Sequence, residues 1–135
     1  MLGVIIRDGA EPGGSGCLEF DLPEILAALG ERVANSRWRC AGLQYTSRDE
    51  QDIPGLEEAA TSGQAVWGSA LTRGIGQLLQ VIDGDFEALD EHNRCWAIVR
   101  AVDSSWWEVW SDDTSVLEAV RARFQSTEPI SPQAG

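Results

Sequence analysis

The stretch from Cys95 to Ser111, Cys-Trp-Ala-Ile-Val-Arg-Ala-Val-Asp-Ser-Ser-Trp-Trp-Glu-Val-Trp-Ser, constrains the fold more than any other part of the chain. It holds four of the six tryptophans. Its two runs of β-branched and aromatic residues flank a short polar break, and such residues suit the pleated, half-buried surface of a sheet, so the stretch predicts a β-hairpin. A two-residue loop at Ser104 and Ser105 would set Asp103 opposite Trp106, Val102 opposite Trp107, Arg100 opposite Val109 and Ile98 opposite Ser111. One face would then carry Trp96, Ile98, Val102, Trp107 and Val109 toward the core, with Arg100 as its misfit. The other would carry Val99 and Trp110, Ala101 and Glu108, Asp103 and Trp106 toward water. A slip of one residue exchanges the faces, and Ser-Ser is not a strong turn signal.

The remaining elements follow from spacing and punctuation. Leu2 to Ile6 reads as a short strand closed by Asp8-Gly9, and Cys17 to Phe20 as a second. Asp21-Leu-Pro-Glu24 is a helix start, with Asp21 as N-cap, and Ile25, Leu26, Leu29 and Val33 form a stripe that predicts a helix to about Ala34, stopped at Asn35. Trp38 to Thr46 reads as a strand whose apolar parity changes at Gly42, which predicts a bulge there. Residues 47–62, rich in Asp and Glu, read as a loop. Trp67, Leu71, Ile75, Leu78 and Ile82 recur at helical steps and predict an amphipathic helix ended by Asp83-Gly84, against the preference of Gly74 and Gly76. Phe86 to Leu89 reads as a brief strand. Asp112, Asp113 or Ser115 caps a last helix with the stripe Val116, Leu117, Val120 and Phe124, and Arg121 and Arg123 suit its negative end.

Strands grouped as hairpins with helices before, between and after them give an α+β two-layer sandwich: an antiparallel sheet of four to five strands with about three helices packed on one face. At 135 residues the chain suits one domain, 1–127, followed by a flexible tail, 128–135.

Charge narrows the partners. The chain carries 22 acidic against 10 basic residues, a net charge of −12. Such a field repels nucleic acid and anionic membrane and steers basic proteins toward the surface. Three cysteines without paired spacing, and a start without a basic and apolar leader, point to reduced thiols in the cytoplasm. No segment has the length of a membrane span.

Catalytic and metal motifs find little support. Gly13-Gly-Ser-Gly16 lacks the Lys-Ser/Thr of a phosphate loop. Asp83-Gly-Asp-Phe-Glu87 opens like a calcium loop, but Ala88 stands at its sixth position and Arg94 at its twelfth. His92 and Cys95, with Cys17 and Cys40, supply the atoms of a zinc site without its spacing, and an acidic chain opposes a nucleophilic thiolate. Cys40 and Cys95 read better as small apolar strand residues, with His92 on a turn. The reading is therefore of no enzyme, no cofactor and no metal.

The expected function is binding. Tryptophan beside carboxylate suits a surface that occludes a basic partner, with aromatics as anchors and acids raising the association rate. Bacterial immunity proteins and inhibitors that neutralise nuclease toxins combine small size and acidity in this way, an analogy of charge and size rather than of any motif. The expected contact residues are Asp103, Trp106, Glu108 and Trp110, with Asp112 and Asp113 as an electrostatic rim. Two other readings stand beside this one: a homodimerising or structural module pairing the Trp face with itself, and a small-molecule site using Arg100 as an anion anchor.

Overall fold

A computed structural model describes residues 1–7, 22–47, 65–69, 71, 78–102 and 106–130. Its architecture is mixed α+β: among the described residues, a seven-stranded antiparallel sheet and two complete α-helices, with Gly68, Ser69 and Leu71 also helical. The strands are β1 (Leu2–Ile6), β2 (Arg37–Ser47), β3 (Val66–Trp67), β4 (Leu78–Leu89), β5 (Cys95–Val102), β6 (Trp106–Ser111) and β7 (Thr127–Ile130), and their order across the sheet is β3-β2-β4-β5-β6-β1-β7. Helix α1 spans Leu22–Leu29 and α2 spans Thr114–Arg123. The α+β class expected from sequence holds, with more strands and fewer helices among the described residues.

Register explains the layering. Directly opposed residues share a face, so Cys40, Phe86, Val99, Val109 and Val4 form one row across five strands. All five are buried. Trp38, Ala88, Ala97 and Ser111 form a second buried row. Gly84, Ala101, Trp107 and Ile6 form a third. In that third row the small residues on β4 and β5 leave space for the Trp107 indole, which reaches Phe86 at 6.5 Å between ring centroids. Ile25, Leu26 and Leu29 of α1 and Val116, Leu117 and Val120 of α2 join the same core cluster. Both helices therefore cover this one face.

Helix α1 ends earlier than its stripe suggests, because Gly30 takes a φ of 83° and breaks the right-handed run. A 3₁₀ turn at Glu31–Val33 follows in place of the expected helix to Ala34. Val33 still reaches the core. At the second helix Asp113 is the cap, its side chain accepting from the Ser115 N–H at 3.0 Å.

Two larger corrections concern β4 and the C-terminal end. The apolar spacing from Trp67 to Ile82 suggests a helix, and Gly68, Ser69 and Leu71 are helical, but Trp67 lies on β3 and Leu78 to Leu89 form one continuous strand paired with both β2 and β5; residues 70 and 72–77 lie outside the described residues. Asp83-Gly84 is thus mid-strand, not a helix end. The chain after Thr127 is not a loose tail from residue 128: Thr127–Ile130 pairs with β1 as an edge strand. Arg7 N–H donates to Ser126 O at 2.9 Å, so the alternation along this pair turns the nitrogen of Pro129 away from β1, where its missing N–H leaves no ladder bond unmade. The expected bulge in β2 is present. Between Ala41 and Gln44 the strand gains a residue against Asp85 and Asp83 of β4, and Gly42 has a φ of 60°. The strand expected at 17–20, the Asp21 cap and the loop expected at 47–62 lie outside the described residues, except Ser47, which ends β2.

Candidate functional site

The second face of the sheet carries the polar and aromatic residues of the hairpin. Strands β5 and β6 pair as Ile98 with Trp110, Arg100 with Glu108 and Val102 with Trp106. These six side chains are half-buried, whereas Val99, Ala101, Trp107 and Val109 between them are buried. Val102 and Trp106 are the last pair, so three residues rather than two separate the strands, and the register differs by one from that set by a Ser-Ser loop. The consequence is confined to β5. Trp106, Glu108 and Trp110 face away from the core as expected, while Ile98, Arg100 and Val102 join them there and Val99 and Ala101 turn inward. Arg100 is accordingly no misfit in the core. Trp96 does remain buried, because a register shift at Ala88 and Leu89 alters the start of the strand.

Pairing extends this face across the sheet. Arg39, Glu87, Ile98, Trp110 and Gly3 form one row, and Ala41, Asp85, Arg100, Glu108, Ile5 and Glu128 form the next. Trp67, 60% exposed, pairs with Arg37 at the β3 end. Among the described residues neither helix contributes to this face.

Its electrostatics centre on Glu108. The Trp106 Nε1–H donates to Glu108 Oε2 and the Trp110 Nε1–H to Glu108 Oε1, each at 3.0 Å. Arg100 stands between two carboxylates, its Nε 2.8 Å from Asp85 Oδ1 and its Nη1 3.7 Å from Glu108 Oε1. The Arg7 guanidinium lies 5.8 Å from the Trp106 ring centroid and reaches Glu128 at 3.4 Å. Arg39 and Glu87 approach at 3.9 Å. Beside these groups a depression of about 320 Å³ opens among Gly42, Asp83, Asp85, Arg100 and Val102.

The expected contact residues therefore separate into three sets. Trp106, Glu108 and Trp110 sit together on the open face. Asp112 and Asp113 lie beyond the end of β6 and serve local ends: Asp112 pairs with the Met1 amine at 3.1 Å, and Asp113 caps α2 and meets Arg32 at 3.3 Å. Asp103 lies outside the described residues. Sequence reasoning missed Ile98, Arg100 and Val102 through the register slip. It also missed Trp67, whose spacing suggested a helix face, and Arg39, whose signal was the alternation of Arg37 and Arg39 with buried Trp38 and Cys40.

Cys40, Cys95 and His92 are not among the hydrogen-bonded or ion-paired side chains named for this face. Burial pushes the Cys40 thiol up to about 12. Cys95, raised by partial burial and by Glu87, donates to Ala97 O at 3.3 Å. His92 is exposed on the turn between β4 and β5, where Asp90 Oδ1 accepts from the backbone N–H groups of His92 and Arg94. Among the described residues no group of three His, Cys, Asp or Glu is arranged to hold a metal ion, and no helix is long and apolar enough to cross a membrane.

Comparison with protein-family models, with curated proteins and with solved structures found no match to this chain.

Proposed function

We propose that the chain is an acidic binding protein whose open sheet face receives a basic protein, in the manner of an immunity or inhibitor protein that occludes a nuclease toxin. One observation carries the reading: Trp106 and Trp110 stand half-buried on one strand with both indole N–H groups already tied to Glu108. Large rings held in a fixed orientation lose little freedom on binding, and immobilising a free side chain otherwise costs about 0.5–1.5 kcal/mol. Tryptophan is also the residue type enriched at binding hot spots.

Charge acts at longer range. Residues 8–21 and 48–64 together hold nine acids, Asp8, Glu11, Glu19, Asp21, Asp49, Glu50, Asp52, Glu57 and Glu58, against the single base Arg48. These two stretches, which lie outside the described residues, therefore carry most of the net charge of −12; that charge draws a basic partner in, while the indoles and the paired charges of the face set how it seats. The same field disfavours nucleic acid and anionic membrane. A raised thiol pKa at Cys40 and Cys95 supports binding rather than nucleophilic chemistry, and free thiols suit a reducing, cytoplasmic setting.

The test begins with capture from native extract on the immobilised full chain at low salt. A captured basic protein is then purified and titrated against the wild type and a Trp106→Ala, Trp110→Ala variant. Affinity that falls with rising salt and drops at least about tenfold in the variant supports the reading. A captured protein that binds both forms alike removes its basis.

A second reading, self-association through the same face, is favoured by local charge balance. Arg7, Arg37, Arg39 and Arg100 stand there against Asp83, Asp85, Glu87, Glu108 and Glu128, so the face does not repel its own copy as the whole chain does. Sedimentation decides between them: a mass that doubles with concentration, and does so less in the double Trp variant, favours the dimer.

A further inference from the structure

We infer that Glu108 is the positioning residue of the aromatic face, a carboxylate spent on holding two indoles rather than offered to a partner. For its purpose the inference rests on the docking reading above, but the geometry that carries it belongs to the free protein. An ionised carboxylate has two acceptor oxygens and no donor. Here each oxygen takes one indole N–H, Oε2 from Trp106 and Oε1 from Trp110. The three residues occur at alternate positions of β6, so their side chains rise from the same face of one strand with the acid in the middle.

Three further features surround the arrangement. Arg100, directly opposite on β5, brings its guanidinium to the Oε1 side at 3.7 Å. The Glu108 side chain is only 14% exposed, far less than the 42% of Arg100 and Asp85 beside it. Trp110 also lies against the β1 backbone at Gly3, where an added Cβ would fall 2.6 Å from the ring. The indoles are thus anchored at their nitrogens by the acid, and the Trp110 ring is held from beneath by a glycine. A basic group on a partner would find the Glu108 oxygens already engaged and would turn to Asp85, Glu87 or Glu128, which are more exposed.

Indole N–H resonances of the full chain, read by NMR without any partner, test this. Trp106→Phe and Trp110→Phe variants assign the two relevant peaks. Glu108→Ala is expected to shift both peaks and to speed their exchange with water by about tenfold or more. Glu108→Gln, which keeps one acceptor oxygen, is expected to release at least one, and serves as the test if the alanine variant does not fold. The peaks of Trp38, bonded to Val33 O, and Trp96, bonded to Ser36 Oγ, should stay in place. Arg100→Gln should leave the Trp106 and Trp110 peaks bonded. Unchanged Trp106 and Trp110 peaks in the Glu108 variants overturn the assignment, as does an Arg100→Gln effect of equal size. If the docking reading alone is wrong, these peaks still respond, because they are observed on the free protein.

Discussion

The indole of Trp110 lies across the backbone of Gly3 on the neighbouring strand, so closely that a Cβ built on Gly3 would stand 2.6 Å from Trp110 Cδ2. Glycine is required at that position by this contact, not by the backbone conformation. Gly3→Ala should therefore destabilise the protein by roughly 1–3 kcal/mol, the usual range for overpacking, because the ring cannot swing aside without losing its bond to Glu108. Denaturant unfolding measures the loss. Combining it with Trp110→Ala should relieve most of it, and a strictly additive double variant would show that the clash is absorbed elsewhere.

Trp106 and Trp107 are neighbours in sequence on opposite faces of β6, and their substitutions should differ accordingly. Trp107 is 1% exposed and stacked on Phe86, so Trp107→Ala should remove roughly 3–5 kcal/mol, much of what a small domain has. Trp106→Ala should remove about 1 kcal/mol or less. Equal losses in chemical denaturation would contradict the two-faced sheet.

Asp113 links the helix cap to acid stability. Its carboxyl is held below the usual range chiefly by the Ser115 hydroxyl, then by the Ser115 N–H, with Arg32 adding attraction. A carboxyl with a lower pKa folded than unfolded contributes stability above its ordinary value of 3.8 and loses it as pH falls through the folded value. Asp113→Asn keeps a good capping residue without the titration. Thermal unfolding at a series of acidic pH values should show a shallower decline for the variant below about pH 4, and the difference should shrink in high salt because the site is exposed.

The Cys40 thiol, pushed up to about 12 by burial, should resist iodoacetamide in the folded protein and react once the chain is unfolded. Peptide mass spectrometry after native and denaturing alkylation reads this directly. For the same reason its contribution to stability is complete below the ordinary thiol value of 9.0 and is lost as pH climbs from there toward 12. Native labelling of Cys40 at the rate of the unfolded chain would place it outside the core.

The hairpin shows why the sequence was legible on one strand and not on the next. On β6, Trp107 and Val109 alternate with Glu108, so only one phase buries no charge. On β5, Ile98 and Val102 are as apolar as Val99 and Ala101, and only Arg100 separates the phases. The assumed loop length overrode that signal, and a single residue of register turned the strand over. The ends of the segment from Trp67 to Ile82 departed from expectation for a different reason. Its apolar residues match a helical period, but β2 offered pairing along the whole of Leu78–Leu89 and β5 along Gly84–Leu89, long-range contacts that local spacing does not reveal. The capped helix α2 and the bulge at Gly42 were legible because their signals are local: an acid accepting from a nearby N–H, and a residue tolerant of positive φ. The role of Glu108 was not, since its partners are visible only once the rotamers are known.

The outward-turned Pro129 nitrogen has a bearing on how this chain behaves when crowded. Along that margin of the sheet an incoming strand meets a ring methylene where it needs a proton to share, so neighbouring molecules cannot zip together there into a growing ribbon. A molecule built so largely of strand is thereby discouraged from fibrous stacking along β7, and contact with another protein is directed to its broad aromatic flank instead.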